Sequence, residues 1–231
     1  DPGTTCVLKL ERPTADSTYI PMELKITRGT IRTNPVPYYG MVDKNIGYIA
    51  ISTFAIEGCS KDIKKALIEL KQQGATSIVL DLRGNGGGLL SEAVNVVNFF
   101  VPKGKEIVVT KGKIKQAGST YKTSNEPIDM EIPLTVLVDG ATASAAEIVS
   151  GSLQDLDRAV IVGNRTYGKG LVQVPRELPY NSSMKVTTAK YYIPSGRCIQ
   201  AIDYAKRNAD GSVARIPDSL TTVFHTAAGR E

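Results

Sequence analysis

The 231-residue sequence predicts an α/β fold whose core is built on a mixed sheet. Ser77-Ile-Val-Leu-Asp-Leu82 and Leu134-Thr-Val-Leu-Val138 are short, nearly continuous apolar runs of the kind found in strands covered on both faces. A β-rich stretch over 46–54 and a helical pattern over 60–73 precede the first of these runs, so strand, helix and strand follow in the order of a βαβ crossover. Both apolar runs lead through turns rich in small residues into helical spacing. A hydrophobic content of 42% is enough for a sizeable core.

Along the chain, 6–12 and 22–28 alternate apolar and polar residues as half-buried strands do, joined by a polar loop carrying Pro13 and Pro21. Two strands alone make no stable module. The stretch 33–37, with Pro35 and Pro37, reads as a linker between a small β unit at 1–33 and a core at 34–231. The helix at 60–73 takes Ser60 as its cap, turns Ile63, Leu67 and Leu70 to one side, and stops at Gly74. Gly84-Asn-Gly-Gly-Gly88 follows the strand at 77–82, and helical spacing resumes over 91–100. A strand is expected at 106–110, then a polar surface excursion over 111–131. The run at 134–138 leads to a helix at 145–153, with further strands at 159–162, 171–174 and 185–193. Pro194-Ser-Gly196 turns the chain, 203–218 reads as loop, and 219–231 has weak helical character.

Composition excludes several functions. The net charge is +5, but the Lys and Arg residues are scattered among acids, and no basic run is interleaved with aromatics, so nucleic-acid binding is not expected. No apolar run approaches the roughly 20 residues that span a bilayer, and Asp1-Pro-Gly3 is no signal peptide. Cys6, Cys59 and Cys198 lack metal-ligand spacing, leave at least one thiol unpaired, and read best as three buried thiols. Neither a metal nor a cofactor is expected. The glycine run fails as a dinucleotide fingerprint because Leu89 stands where the third glycine belongs. Gly163-Asn-Arg-Thr-Tyr-Gly-Lys169 satisfies most of a phosphate loop but is followed by Gly170 instead of Ser or Thr, and by a strand-like stretch instead of a helix.

Ser144 carries the chemical interest. It lies where a buried strand meets a helix, so its hydroxyl can be presented beside unpaired backbone N–H groups able to hold an oxyanion. The competing reading is a helix cap, with Glu147 completing a capping box. A serine nucleophile needs a base, and the single His, His225, sits in a polar tail, which makes a Ser-His-Asp triad hard to assemble. Lys169 lies between Gly168 and Gly170, which allow close backbone approach, and Gln173 follows four residues later. A desolvated, neutral lysine can take the hydroxyl proton.

Thr142-Ala-Ser-Ala-Ala-Glu-Ile148, then Tyr167-Gly-Lys-Gly170 with Lys169 25 residues after Ser144, and the upstream Asp81-Leu-Arg-Gly-Asn-Gly-Gly-Gly88 closely resemble the C-terminal processing (tail-specific) serine peptidases. The likeness runs from about Ile46 to Pro194, and residues 6–31 resemble the closing strands of the PDZ domain that precedes the core in that family. The resemblance implies Ser144 as nucleophile, Lys169 as general base and Gln173 as the residue orienting it. It implies an oxyanion hole from the N–H of Ala145 with that of Gly88 or Gly87. It further implies endopeptidase action near the C-termini of protein substrates, a periplasmic or otherwise exported location, and weak discrimination among tails where only the last PDZ strands are present. A catalytically idle peptide-binding relative and a phosphate-binding protein using the Gly163 loop remain as alternatives. With lysine as the base, kcat/KM rises with pH as that base loses its proton. A His225→Ala variant should superimpose on the parent profile when both are measured across neutral and alkaline pH.

Overall fold

The computed structural model describes residues 1–31, 33–114, 116 and 118–231, which divide into two units, Asp1–Asn34 and Pro35–Glu231. The first unit is a hairpin of β1 (Thr5–Pro13) and β2 (Tyr19–Thr27), paired antiparallel from Thr5↔Thr27 to Pro13↔Tyr19. Its alternating sequence predicts one buried face, yet Val7, Leu8, Leu10, Ile20, Leu24 and Ile26 are all exposed. A two-stranded ribbon has no second layer to cover it. The linker expected over 33–37 is shorter, because Pro35 and Val36 are buried and the Pro35 carbonyl accepts the Ser52 N–H at 2.9 Å.

The second unit runs β3 (Tyr38–Asp43), β4 (Ile46–Ala50), α1 (Cys59–Gln72), β5 (Ser77–Asp81), α2 (Leu90–Asn98), β6 (Glu106–Gly112), β7 (Ser119–Lys122) and β8 (Leu134–Val138). It continues through α3 (Ala145–Asp155), β9 (Val160–Gly163), β10 (Leu171–Leu178), β11 (Ser182–Tyr192), β12 (Ile202–Arg207) and β13 (Val213–Arg215). The mixed sheet expected from the sequence is present as β3-β4-β5-β8-β9, with β3 antiparallel to β4 and the remaining pairs parallel. An antiparallel sheet, β10-β11-β6-β7, and the hairpin β12-β13 complete the strands among the described residues.

Helix α1 buries Ile63, Ala66, Leu67 and Leu70, the spacing of one helical face. It lies so close over Gly47 of β4 that a Cβ there would meet Leu70 Cδ1 at 3.1 Å. Truncating Leu67, which has no exposed surface, to Ala would cost about 2–5 kcal/mol. Helix α3 is buried nearly all round, including Ala145, Ala146, Ile148, Val149 and Leu153, because other elements cover it on several sides. Ser152 Oγ donates to the Ile107 carbonyl of β6 at 3.0 Å, and a Cβ on Gly151 would stand 2.7 Å from Ile193 Cδ1. The helix that follows Ser144 is therefore fixed in the core.

Several expectations need correction. Ser60 is not the cap of α1: the N-cap is Gly58, at φ 81°, and the exposed end of the helix is satisfied from another helix. Glu92 of α2 accepts the Gly58 N–H at 2.9 Å and the Ser60 N–H at 2.8 Å. The polar stretch 111–131 contains β7, a short exposed strand with no apolar alternation to betray it. The stretch 203–218 contains most of β12 and β13, turned through Asn208 and Gly211, where the Gly211 N–H reaches the Asn208 carbonyl at 2.9 Å. Beyond a short 3-10 turn at Asp218–Leu220, the last residues form no helix and are pinned to the end of α3, the Ala227 N–H donating to the Asp155 carbonyl at 2.7 Å. Of the three free thiols only Cys59 is buried, and burial followed by the nearby Glu92 charge pushes its pKa up to about 12.

Burial works to raise the Glu92 pKa, but hydrogen bonds from Ser60, Gly58 and Cys59 outweigh it and hold the carboxyl below its ordinary value. A carboxyl whose folded pKa is depressed contributes stability above its unfolded pKa of about 4.3 and loses it as pH falls through the folded value. Glu92→Gln should therefore lower unfolding stability by about 1–3 kcal/mol at pH 7. In denaturant titrations the gap to the parent should narrow as pH falls below about 4.

Candidate active site

The parallel register decides where the functional loops begin. Ala50 stands opposite Asp81, Asp81 opposite Leu137, and Val138 opposite Gly163, so β5, β8 and β9 end together along one edge of the sheet. Loops leaving the carboxyl ends of neighbouring parallel strands share a crevice. Here they are the glycine loop after β5, the turn to Ser144 after β8, and the loop to Lys169 after β9.

The glycine loop is anchored at both ends. Arg83 grips Asp81 through Nε at 3.0 Å and Nη2 at 2.6 Å, and Tyr48 Oη donates to the same carboxylate at 2.5 Å. Burial pushes the Asp81 pKa up, and these partners more than reverse it. Asn85 is fully buried: its Nδ2 donates to the Ile51 carbonyl at 2.8 Å, its Oδ1 accepts the Gly87 N–H at 2.9 Å, and its carbonyl accepts the Ala143 N–H at 2.9 Å. At the far side the Phe54 N–H donates to the Gly87 carbonyl at 3.0 Å, and the Leu89 N–H to the Phe54 carbonyl at 2.8 Å.

Ser144 occupies the N-cap position of α3 with φ 58° and ψ −118°, a conformation that costs a non-glycine residue about 1–3 kcal/mol. The surroundings impose it. Asp139 accepts the N–H groups of Gly84, Ala141 and Thr142 at 2.9–3.0 Å, and the Gly84 bond is the first of those holding its pKa below the ordinary value. Thr142 Oγ1 donates to the Leu82 carbonyl at 2.8 Å, tying the turn to the end of β5. Gly87 presses in so closely that a Cβ on it would lie 2.6 Å from the Ala143 oxygen and 2.8 Å from both the Ala145 nitrogen and Ser144 Cβ. The Gly87 N–H is committed to Asn85, whereas among the described residues the N–H groups of Gly88 and Ala145 donate to no protein acceptor.

The loop to Lys169 reaches the same place. Glu147, buried in the first turn of α3, accepts the Thr166 hydroxyl and the Gly168 N–H on Oε1, each at 2.7 Å. Its Oε2 accepts the Ser144 and Lys169 N–H groups, each at 2.8 Å. The backbones of these two residues thus share one acceptor atom. The flanking glycines are needed for room: a Cβ on Gly168 would meet Ala201 Cβ at 2.2 Å, and one on Gly170 would meet the Gln200 nitrogen at 2.3 Å. Gln200 Oε1 accepts the Gly170 N–H at 2.8 Å, and its Nε2 donates to the Ile202 carbonyl at 2.8 Å.

Lys169 and Gln173 line one cleft of about 400 Å³ with Gly86, Ala143 and Tyr167. Ser144 is half-buried. The side chain of Lys169 is exposed, where a base of this kind was expected to be desolvated, because the cleft wall it stands on opens outward; Gln173 on β10 is exposed as well. His225 is exposed in the C-terminal segment, and no group of His, Cys, Asp and Glu among the described residues could hold a metal ion. In the sequence Glu147 shows only a capping pattern, and neither Asn85 nor Gln200 stands out as functional. A polar residue inside a glycine run was the one available sign of Asn85.

The model of Peptidase family S41 matches residues 45–205, which include every residue of this site. The carboxyl-terminal-processing protease of a Picosynechococcus species is 40% identical over 195 residues, 83% of this chain and 45% of that protein. The carboxy-terminal processing protease CtpA of Bacillus subtilis is 36% identical over 197 residues, 85% of this chain and 41% of that protein. Among solved structures, the photosystem II D1 C-terminal processing protease superposes with a TM-score of 0.64 at 33% identity, covering 86% of this chain and 53% of its own. The chain spans less than half the length of the curated relatives it matches. By family match, identity and fold together, it belongs to Peptidase family S41.

Proposed function

We propose that this chain carries the catalytic centre of a serine endopeptidase that cleaves protein substrates near their C-termini, with Ser144 as nucleophile and Lys169 as general base. The observation that supports it most directly is the sharing of Glu147 Oε2 by the Ser144 and Lys169 amides, which holds the backbones of a strained serine and a lysine 25 residues away against one atom. Neutral Lys169 takes the Ser144 hydroxyl proton as Oγ attacks the scissile carbonyl carbon. The resulting oxyanion is held by the N–H groups of Ala145 and Gly88, which among the described residues donate to no protein acceptor, rather than by that of Gly87. Lys169 then gives its proton to the leaving amine, and water releases the acyl group by the same route in reverse. Gln173, a neutral partner in the same cleft, orients the amine without stabilising its charge as a carboxylate would. A peptide lying in the open cleft covers Lys169 and supplies the desolvation that the free chain lacks.

The hairpin at 1–33 is read as the last strands of a PDZ domain, and substrates as chains engaged through their C-terminal tails. The relatives' names speak of carboxyl-terminal processing, and the activity is carried to this chain on that basis. A periplasmic or otherwise exported location goes with this reading. The alternative, an idle peptide-binding relative, differs in one measurable respect: it binds peptides without turning them over.

Ser144→Ala and Lys169→Ala should each nearly abolish hydrolysis of an unstructured polypeptide while circular dichroism stays unchanged, and the double variant should be little worse than either. Lys169→Arg should match the alanine variant because a guanidinium stays protonated. Gln173→Ala should retain measurable turnover. Robust cleavage by Lys169→Arg would place the base elsewhere. Oxyanion assignment can be read from an aldehyde inhibitor bound at Ser144: its oxygen should lie about 3 Å from the nitrogens of Ala145 and Gly88.

A further inference from the structure

We infer that Glu147 is a positioning residue that sets the nucleophile and the base relative to each other; this rests on the reading of Ser144 and Lys169 given above. A helix cap accounts for only one of its four hydrogen bonds, that from the Ser144 N–H. The other three come from the Thr166 hydroxyl and the Gly168 and Lys169 amides, on a loop from a different strand. An ionised carboxylate has two oxygens and about four acceptor sites, so the four donors use its capacity in full. With 4% of its surface exposed, the group has no room to exchange a protein donor for water without moving.

Charge and shape are both required. In a glutamine, one of the two positions becomes an NH2. Placed at Oε2, it opposes the N–H groups of Ser144 and Lys169; placed at Oε1, it opposes that of Gly168. Either way at least one loop is pushed off. The carboxylate also sits in the first turn of α3, where the helix dipole favours negative charge. Glu147 touches no reacting atom in this scheme; it acts by fixing where the Ser144 hydroxyl and the Lys169 amine start.

The test is Glu147→Gln in the full chain, with turnover of an unstructured polypeptide, thermal unfolding and amide hydrogen exchange measured side by side. The expected result is a fall in kcat of about 100-fold, the size of effect that a misplacement near 1 Å produces, with KM nearly unchanged. A folded variant with parental kcat, or one whose loss lies in KM alone, overturns the proposal. If the variant does not fold, Thr166→Val decides: it removes one donor and leaves the carboxylate, so kcat should fall roughly ten-fold, and an unchanged kcat overturns the idea. Should the parent chain turn over no substrate, the reading of its function fails, and the positioning claim is judged on exchange alone in whichever variant folds. Faster exchange at Ser144, Gly168 and Lys169 together, with β8 amides still protected, supports it. A change confined to the first turn of α3 overturns it.

Discussion

One buried carboxylate joins two stretches of chain that the sheet brings near each other but does not itself connect. Strands β8 and β9 deliver the Ser144 turn and the Lys169 loop to the same edge, yet a parallel ladder fixes only backbone inside the strands. Beyond Val138 and Gly163 each loop must find its own partners. Glu147 supplies four bonds, accepting the Ser144 and Lys169 N–H groups on one oxygen and the Thr166 hydroxyl and Gly168 N–H on the other, and the Tyr167 N–H reaches the Thr142 carbonyl directly at 3.0 Å. Charge-assisted bonds of this kind are shorter and stronger than neutral ones, and a low-dielectric site strengthens them further. The same setting makes any unpaired donor costly, so the four bonds stand or fall together.

The strain at Ser144 belongs to this arrangement. Its positive φ would relax in an isolated turn, but the turn is held on three sides: Asp139 and Thr142 bind it to the end of β5, Asn85 accepts the Ala143 N–H, and Gly87 fills the space beneath. The helix behind it cannot retreat, because α3 is buried nearly all round and Ser152 ties it to β6. Rigid packing of the helix thus becomes a fixed position for the hydroxyl. Pressing Gly87 against Ala145 also brings the glycine loop to the start of that helix. Any side chain at Gly87 would have to displace backbone atoms, so the loop's composition follows from the closeness of this contact.

Much of this was legible in the sequence, and the failures have physical causes. Apolar runs at 77–82 and 134–138 announced parallel strands, and the helical face of Ile63, Leu67 and Leu70 is present in α1. Ser60 resembles a cap because local pattern cannot reveal that the helix begins earlier and that Glu92, over thirty residues away, accepts the Gly58 and Ser60 N–H groups at its start. The hairpin β12-β13 was missed although Asp210-Gly211 is a turn signal, since the flanking strands carry little apolar alternation. The long-range partners of Glu147, Asn85 and Gln200 could not be named from local pattern. The distant groups bonded to their side chains lie 19 to 34 residues off, and only the topology decides which of them arrive there.

The exposure of Lys169 bears on how such a centre would work. Burial favours a neutral amine over an ammonium. Nothing in the described core buries this side chain, and the cleft it shares with Gln173 opens outward. The backbone of Lys169 is nevertheless fixed, through Glu147 and the Gly168–Ala201 contact. On the proposed mechanism the substrate supplies the burial: a chain laid along the cleft expels water from around the amine as it presents its carbonyl to Ser144. Binding energy is then spent partly on making the base, and it appears in kcat rather than in tighter binding. An extended chain can lie along such a cleft with its backbone against the wall that carries Lys169 and Gln173. Preference for unstructured tails would follow from the same geometry that leaves the lysine in water.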